Sequence, residues 1–359
     1  MGGKADRRTR LVEARSAAHR LAMAPFAFQC ARAARELGLL SAVGAEGRAG
    51  AEVGVLVTRT GLPETSVSVL LDACLATDLL VEDPPGRWRL TTLGEVWLRD
   101  AYVALDAEFA HTVCWRGLAD LTASLRDGAP VGLRHFGPWA TVYEGLTALP
   151  PRVRDAWFAY DHGHSDVAFD RALAIVLETS PRSILDVGGN TGRFATRLLE
   201  ADDAITVTLV DHPAVAAEAE KRLATRGLAA RCTCVGLDLC DHRAKLPGTH
   251  DAIWMSQFLD CFAPADVIAL FDRARAALAP GGAVWVLELC PDRQEERGAA
   301  TSLRLASLYF TAIANGVSRF YRARDLLALA EAAGLRCDAT HDGLGSAHTL
   351  FRFVPRRDP

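Results

Sequence analysis

The chain has 359 residues, 50% of them hydrophobic, with 40 basic residues against 44 acidic ones. This length and apolar content allow a large buried core, favour two domains and exclude an intrinsically disordered chain. The balanced charge gives no reason to expect a nucleic-acid partner. The longest run without a charged side chain, 305–318, is too short to span a membrane.

The first residues, 1–20, include several basic side chains but no apolar stretch of the signal-peptide type. We interpret them as a flexible arm of a cytoplasmic protein. The nine scattered cysteines indicate reduced thiols rather than a disulfide framework. Cys232, Cys234, Cys240 and His242 include no CxxC pair, so no metal site is predicted.

Residues 21–105 follow the order helix, turn, helix and β-hairpin, which predicts a winged-helix module. Apolar residues recur at helical spacing from Ala27 to Leu40, with Gly38 as a helix cap. A second helix is predicted from Glu64 to Ala76, and the Pro-Gly tip at 84–86 predicts the hairpin turn. The second helix has two acids and no Lys or Arg, so it is unsuited to DNA phosphates. We interpret the module as the dimerisation domain of a homodimer.

Residues 106–170 are predicted to form a helical connector whose aromatic side chains contribute to a substrate pocket. In 171–359, short β-branched runs alternate with helical segments. Five such runs, and then two more joined by a Gly-rich turn, predict an α/β domain with a Rossmann-like seven-stranded sheet. The last two runs are expected to form an antiparallel hairpin at its edge. The runs are 183–187, 205–210, 231–236, 251–255, 283–289, 336–340 and 348–354.

The strongest motif reads ILDVGGNTGRFA, a strand that leads through a glycine turn into a helix. Gly188 and Gly189 let backbone amides approach a ligand, and Gly192 lets the helix pack closely on the sheet. Asp211 ends the second strand, 25 residues after Asp186. A carboxylate in that place can accept two ribose hydroxyls, so the motif predicts a nucleoside site.

The first acid of the turn distinguishes between two candidate nucleotide ligands. A dinucleotide site usually has GxGxxG, so that a helix N-terminus meets the pyrophosphate. Here the turn begins with Asp186, which repels phosphate and suits an ammonium group. The turn therefore favours S-adenosylmethionine over NAD as cofactor; a glycine turn without a ligand is the remaining alternative.

From about residue 25 to 355 the chain resembles the O-methyltransferases related to the plant caffeate and acetylserotonin enzymes. These are class I S-adenosylmethionine-dependent enzymes with a winged-helix dimerisation domain. The strings WMSQFLDCF at 254–262 and SLYFTAIANG at 307–316 most closely resemble the methyltransferases of bacterial aryl-polyene clusters. The resemblance implies methylation of a hydroxyaryl compound of secondary metabolism, such as an aryl-polyene head group, either free or bound to a carrier protein.

The resemblance also implies roles for residues of the cofactor site. Gly188 and Asp211 are expected to hold the nucleoside, and Asp238 and Leu239 to flank the adenine. Ser256 stands where the plant-type enzymes have a Lys that contacts the cofactor.

In this family a His nine residues after the Asp that opens the fourth strand is the base, and a supporting acid lies 28 residues further on. Those positions are Asp260 and Glu288 here. A carboxylate with a pKa near ~4 is a weak acceptor for a phenol proton with a pKa near ~10, so we expect burial or Glu288 to raise the pKa of Asp260. Two alternatives remain: Asp260 caps the helix that starts near Ala263, or a ring carbon ortho to a phenolate is the nucleophile and no His is needed.

Five further residues are candidates for the pocket, and all but Tyr309 are suggested by the resemblance. His164 aligns with a Met beneath the transferred methyl and His162 lies nearby; either replaces the missing base, or both are surface residues in a polar turn. Asn315 matches a pocket Asn and hydrogen-bonds a ring substituent, unless it only ends a helix. Tyr309 is expected in the core or on the pocket wall. Phe320 replaces the family's second supporting acid.

Two other functions fit parts of the sequence. A winged-helix regulator that senses a nucleoside would need a basic recognition helix, which is not present. A cofactor-binding relative that catalyses decarboxylation or hydroxylation is suggested by the missing His. We expect a methyltransferase.

Overall fold

The computed structural model describes residues 2–345 and 347–356. The chain divides into two compact units, 1–108 and 109–359. No helix of these described stretches is long and apolar enough to cross a membrane, and they contain no group of three or more His, Cys, Asp or Glu that could hold a metal ion.

The first unit begins with helix α1, Gly2–Ala22, in the segment where the sequence suggests a flexible arm. The segment is rich in Ala, Arg and Leu, which favour a helix without help from packing. The side chains of 7–22 are exposed.

The rest of this unit forms the predicted winged helix. Gly38, with a φ of 78°, separates the first two helices after α1. The predicted helix from Glu64 to Ala76 forms with those bounds, and β1 and β2 pair antiparallel as the wing. The elements are α2 Ala24–Glu36, α3 Leu39–Ala45, α4 Val53–Thr60, α5 Glu64–Ala76, β1 Leu80–Glu82, β2 Trp88–Leu90 and α6 Thr92–Arg99.

A helical region follows, and its last helix, α11, has 27 residues. This helix crosses residue 170, where the sequence suggests that a new domain begins. It also places His162 and His164 inside a helix rather than in the polar turn that the sequence suggests. From 152 to 177 the chain has no proline to interrupt the helix. The helices are α7 Ala101–Phe109, α8 Trp115–Leu118, α9 Leu121–Asp127, α10 Val142–Gly145 and α11 Pro151–Leu177.

The second unit contains the predicted seven-stranded sheet, with strand order β5-β4-β3-β6-β7-β9-β8. The first five strands of this sheet, β3 to β7, are parallel to one another. Strand β9 lies antiparallel between β7 and the edge strand β8. The strands are β3 Ser183–Val187, β4 Thr206–Asp211, β5 Cys232–Gly236, β6 His250–Ser256, β7 Leu278–Glu288, β8 Leu335–Leu344 and β9 His348–Pro355.

Helices cover both faces of this sheet, and each face has its own apolar core. The order reverses between β3 and β6, because the chain passes from β3 to β4 on one side and returns to β6 on the other. Ligands of open α/β sheets bind at such a point, beyond the carboxyl ends of the strands. The helices are α12 Arg193–Ala201, α13 Pro213–Thr225, α14 Pro264–Ala276, α15 Arg297–Tyr309 and α16 Ala323–Ala332.

Candidate active site

A cavity of about 650 Å³ lies at the carboxyl ends of β3, β4 and β6. Its walls are completed by α10, α11, the turn after β6 and the end of α15. All of these elements belong to the second unit. The cavity has two sides, which we call the cofactor side, formed at β3 and β4, and the substrate side, formed by the other elements.

The glycine turn after β3 brings bare backbone to the cofactor side. Gly188 has a φ of 72°, and a Cβ there would lie 2.2 Å from the ring of Phe258. A Cβ on Gly189 would lie 2.5 Å from Leu209 and 2.9 Å from Asp186 Oδ2. Gly192, also with a positive φ of 76°, starts α12 and does not line the cavity. Only glycine fits the first two positions, because protein side chains already occupy the space that a Cβ would need.

Asp211 is the acid of the cofactor side at the end of β4. Its Oδ2 accepts a hydrogen bond from the Asn190 backbone N–H (2.8 Å), and its Oδ1 accepts one from its neighbour His212 (2.7 Å). These bonds fix the carboxylate at the cavity wall, and each oxygen keeps a lone pair for a ribose hydroxyl.

Asp186 is 2% exposed, and its Oδ2 has no hydrogen-bond partner among the described residues. Burial, and secondarily the charge of Asp211, raise its pKa to about 8. A ligand ammonium would supply the missing countercharge, whereas a pyrophosphate would be repelled by both acids. The cofactor side therefore fits an adenosyl amino acid. Asp238, Leu239 and Ser256 line the same cavity, and the Ser256 hydroxyl is buried without a partner there.

On the substrate side, Asp260 is 4% exposed and lines the cavity from a short turn, Leu259–Cys261. Burial is the largest cause that raises its pKa to about 7, and the charge of Asp161 adds to it. The following helix α14 has no side-chain cap at Ala263. The alternative role for Asp260 as a helix cap is therefore wrong.

The turn that carries Asp260 is held from outside the cavity. Glu288 lies behind it and accepts hydrogen bonds from the backbone N–H groups of Phe258 (3.0 Å) and Leu259 (2.8 Å). Burial raises the pKa of Glu288 well above its usual value, and so does the charge of Asp260. Glu288 does not line the cavity, so its geometry is that of a positioning residue for Asp260.

Asn315 lines the cavity and its side chain also forms hydrogen bonds within the protein, so its bond to a ring substituent stays a prediction. Its Nδ2 donates to the Cys261 carbonyl (2.6 Å), and its Oδ1 accepts from the backbone of Val317 (3.0 Å) and from the backbone and hydroxyl of Ser318 (3.1 Å each). It also caps the helical turn Phe310–Ala314, which continues α15, and is followed by Gly316 with a φ of 83°. The helix-ending interpretation is confirmed.

The two histidines differ in their access to the cavity. His162 lines it, with Nε2 buried and unpartnered within the described chain. Burial and the charge of Arg193 lower its pKa to about 4, so the imidazole is neutral near pH 7 and a weak base. His164 is not part of the wall and packs edge-on against Tyr160 at 4.7 Å. In this geometry neither histidine is placed as well as Asp260 to accept a proton.

Asp161 is a site residue that the sequence analysis missed. It lines the cavity, accepts a hydrogen bond from Asn190 Nδ2 (3.2 Å), and has its pKa raised to about 7, mainly by burial. A helical interpretation of 160–165 would have found it, because Asp161 and Ser165 are then one turn apart on one face. Ser165 lines the cavity too.

Aromatic side chains form most of the remaining substrate side. The Tyr309 hydroxyl accepts a hydrogen bond from Trp157 Nε1 (2.7 Å), and Phe320 packs edge-on against Phe310 at 5.1 Å. All four line the cavity. The Cys261 thiol contacts Asp260 Oδ1 at 3.5 Å. A slot lined by aromatic rings and by acids such as Asp260 can bind a flat ring and a hydroxyl group.

Residues 115–336, more than half of the chain, match the family model of the O-methyltransferase domain. The chain belongs to the O-methyltransferase family. An L-tyrosine C(3)-methyltransferase from Streptomyces lavendulae is 29% identical to this methyltransferase over 80% of this chain and 77% of its own length. A demethylspheroidene O-methyltransferase from Cereibacter sphaeroides is 33% identical over 66% of this chain and 61% of its own.

The fold of this methyltransferase also matches solved structures. The S-adenosylmethionine-dependent methyltransferase SibL in its apo form superposes with a TM-score of 0.72 and 25% identity, covering 95% of this chain and 99% of that one. The chain is therefore an S-adenosylmethionine-dependent enzyme with the predicted α/β fold. The prediction of this cofactor is confirmed, and the alternative of a winged-helix regulator is set aside.

Proposed function

We propose that this methyltransferase moves a methyl group from S-adenosylmethionine to a hydroxyaryl small molecule of secondary metabolism. The observation that carries the proposal is Asp260, a buried acid whose pKa burial raises to about 7, on a cavity wall that is rich in aromatic rings. An aryl-polyene head group, free or carrier-bound, is one substrate of this class.

The cofactor side supplies binding and orientation. Asp211 would accept the ribose hydroxyls, Asp238 and Leu239 would flank the adenine, and Asp186 would face the ammonium of the amino-acid tail. Gly188 and Gly189 would admit that tail against the backbone. The bound cofactor supplies an electrophilic methyl on a sulfonium, and the protein has to hold an acceptor in line with it.

On the substrate side, Asp260 would accept a hydrogen bond from the aryl hydroxyl and take its proton. Its pKa near 7 keeps it partly ionised at neutral pH and brings it closer to the phenol value of ~10. Glu288 and Asn315 would act through Asp260, because they hold the backbone of its turn. His162 would act as a neutral hydrogen-bonding group in the pocket, and His164 as a packing residue behind Tyr160.

The same contact serves two acceptor atoms. A hydroxyl held by Asp260 can be methylated on oxygen, and as a phenolate it can direct the methyl to an ortho ring carbon. The names of the two relatives include one C-methyltransferase and one O-methyltransferase. Loss of methyl transfer in favour of decarboxylation or hydroxylation has no observation of this structure in its favour.

We further propose a cytoplasmic homodimer that forms through residues 21–105. Large apolar side chains are exposed in the first unit, with exposures of 77% for Leu21, 55% for Met23 and 72% for Phe26. Burial of such a patch against a second copy would remove it from water. Light scattering on the intact chain tests this: a mass of one chain at micromolar concentration would contradict it.

Methyl transfer is tested with methyl-labelled cofactor and a panel of hydroxyaryl acids, amines and neutral phenols. We expect label in at least one phenol and none in the matched compounds that lack the hydroxyl. Mass spectrometry then places the label on oxygen or on carbon. Bound cofactor with no label in any hydroxyaryl compound, and a new non-methylated product instead, would overturn the proposal.

A further inference from the structure

We propose that the substrate carries a protonated amino group in addition to its aryl hydroxyl, and that the carboxylate of Asp161 binds this ammonium. This inference rests on the proposed function and names its substrate class more closely. It follows from the charges that face the cavity, from the surroundings of Asp161 and from the aromatic rings of the same cavity.

The cavity wall contains many more acids than available cations. Among its described lining residues, one side chain is Arg and none is Lys. Arg193 Nε donates a hydrogen bond to Asp166 Oδ1 (3.0 Å), and its terminal nitrogen Nη2 donates to the other oxygen of the same carboxylate. His162 is neutral near pH 7, because burial lowers its pKa to about 4. The acids of the wall are Glu144, Asp161, Asp186, Asp211, Asp238, Asp260 and Asp266.

The cofactor accounts for only part of this negative charge. Asp186 and Asp211 lie at the ends of β3 and β4, beside the glycine turn. Asp161 lies on α11, and its charge raises the pKa of Asp260, so these two acids interact across the substrate side. With Asp260 assigned to the aryl hydroxyl, Asp161 is a second acid of the substrate side with no function yet.

The surroundings of Asp161 favour a cationic ligand. Its carboxylate accepts a hydrogen bond from the neutral amide of Asn190, and His162 Nε2 lies 4.0 Å away. The charge of Arg193 also acts on it, but Arg193 is paired with Asp166, whose charge has the opposite effect. Burial disfavours the charged carboxylate and raises its pKa to about 7. A ligand ammonium placed beside it would restore the charged form, since opposite charges lower the pKa of an acid. A ligand carboxylate would be repelled there, and the described wall offers it no Lys and no Arg other than Arg193, which is paired with Asp166.

Aromatic rings line the same cavity from positions close to Asp161 in the chain. Tyr160 precedes it in α11 and stacks on Phe109, with the ring centroids 4.0 Å apart. Trp157 is one turn earlier, and all three rings line the cavity. Aromatic faces attract an alkylammonium through cation–π interactions, and a nearby carboxylate adds to that attraction. The substrate side therefore has groups for a ring, a hydroxyl and an ammonium.

The ammonium of the cofactor has the same chemistry, so the test has to separate the two sources. We would load the protein with S-adenosylhomocysteine and titrate three compounds by calorimetry: tyramine, 4-ethylphenol and 3-(4-hydroxyphenyl)propionate. They share the phenol and differ in carrying a cation, no charge or an anion. We expect tyramine to bind at least tenfold more tightly than 4-ethylphenol, and the propionate to bind most weakly.

Asp161→Asn should remove the preference for tyramine, while the affinity for 4-ethylphenol and for S-adenosylhomocysteine stays within threefold. The matched control is Asp170→Asn, which makes the same change on the same helix at an exposed residue paired with Arg197. It should retain the preference.

Equal binding of all three compounds, or tightest binding of the propionate, would overturn this inference and leave the proposed methyl transfer intact. A loss of S-adenosylhomocysteine affinity in Asp161→Asn with the tyramine preference retained would assign Asp161 to the cofactor, and would overturn it too. Failure of methyl transfer itself appears separately, as absence of label from every hydroxyaryl compound of the labelling experiment.

Discussion

The two sides of the active-site cavity are formed by different structural elements and different types of residue. The cofactor side comes from the adjacent strands β3 and β4 and the turn after β3. Its tight packing requires glycine, which has no side chain, at Gly188 and Gly189. The substrate side is assembled from α10, α11, the turn after β6 and the end of α15, and it depends on polar side chains such as Asp161 and Asp260. Substitutions that add side-chain volume should therefore impair the cofactor side most, and substitutions that change a charge or a hydrogen bond should impair the substrate side most.

This contrast agrees with the chemistry of each side. The cofactor is the same for every member of the family, so a turn that admits its backbone contacts is sufficient. The acceptor has to be selected and its proton removed, which requires ionisable groups with adjusted pKa values. The substrate side has two such groups, each with a pKa of about 7.

The largest effect is expected for Asp260→Asn on the substrate side. The amide keeps the shape but cannot take a proton, so kcat should fall by about 10²–10⁴-fold. In the native enzyme kcat/KM should rise with pH up to about 7, as Asp260 loses its proton, and then level off. Initial rates from pH 5.5 to 9 test this. A rising limb of the same midpoint in the variant would show that another group is the base.

Gly188→Ala tests the cofactor side. The new Cβ would meet the Phe258 ring at 2.2 Å in a backbone conformation that disfavours Ala. We expect the free energy of unfolding to fall by about 2–4 kcal/mol and S-adenosylhomocysteine binding to weaken at least tenfold. The control is Gly298→Ala, where a Cβ would meet nothing within 4 Å. Similar losses in both variants, measured by chemical unfolding and calorimetry, would contradict the steric argument.

Asn315→Asp removes one hydrogen bond of the turn that positions Asp260 and puts a carboxyl oxygen in its place. The variant keeps the oxygen that accepts from Val317 and Ser318 but loses the amide that donates to the Cys261 carbonyl. We expect a loss of about 1–3 kcal/mol of stability and a roughly tenfold lower kcat/KM for the aryl substrate, with cofactor affinity unchanged. Weakened cofactor affinity with normal turnover would assign Asn315 to the cofactor side and contradict this prediction.

The smallest effect concerns the pH dependence of stability. Asp161, Asp186 and Asp260 have folded pKa values of about 7 to 8, above the unfolded value near ~4. The folded protein therefore retains protons that the unfolded chain releases, and their contribution to stability is lost as pH rises from about 4 through 8. Calorimetry of the ligand-free protein should show a Tm that is higher at pH 6 than at pH 8, with a smaller difference in Asp186→Asn. An equal or larger difference in that variant would contradict this assignment.

The same contrast explains which parts of the site could be predicted from the sequence. The cofactor side is encoded in local patterns, because a β-branched strand, a glycine turn and an acid at the next strand end lie close together in the chain. The strand Ser183–Val187 was predicted with these bounds, and Asp211 with its place at a strand end. Asp260 was placed by resemblance to the family and lies on the cavity wall.

Predictions for the substrate side were weaker, because its contacts join residues far apart in the chain. Asn315 bonds to Cys261 across 54 positions, which no local pattern indicates. His162 and His164 were placed in a turn, since Gly163 and polar neighbours disfavour a helix, whereas α11 continues through them. That error also concealed Asp161.

The central claim is that the two sides have separate tasks, and it is tested most directly by comparing Asp211→Asn with Asp260→Asn in one pair of measurements. Calorimetry would give the S-adenosylhomocysteine affinity of each, and single-turnover rates at saturating cofactor would give methyl transfer. We predict that Asp211→Asn loses at least tenfold in affinity while its transfer rate stays within threefold of the native enzyme. Asp260→Asn should show the reverse. If both variants lose affinity and rate together, or if Asp260→Asn transfers methyl at the native rate, the account is contradicted.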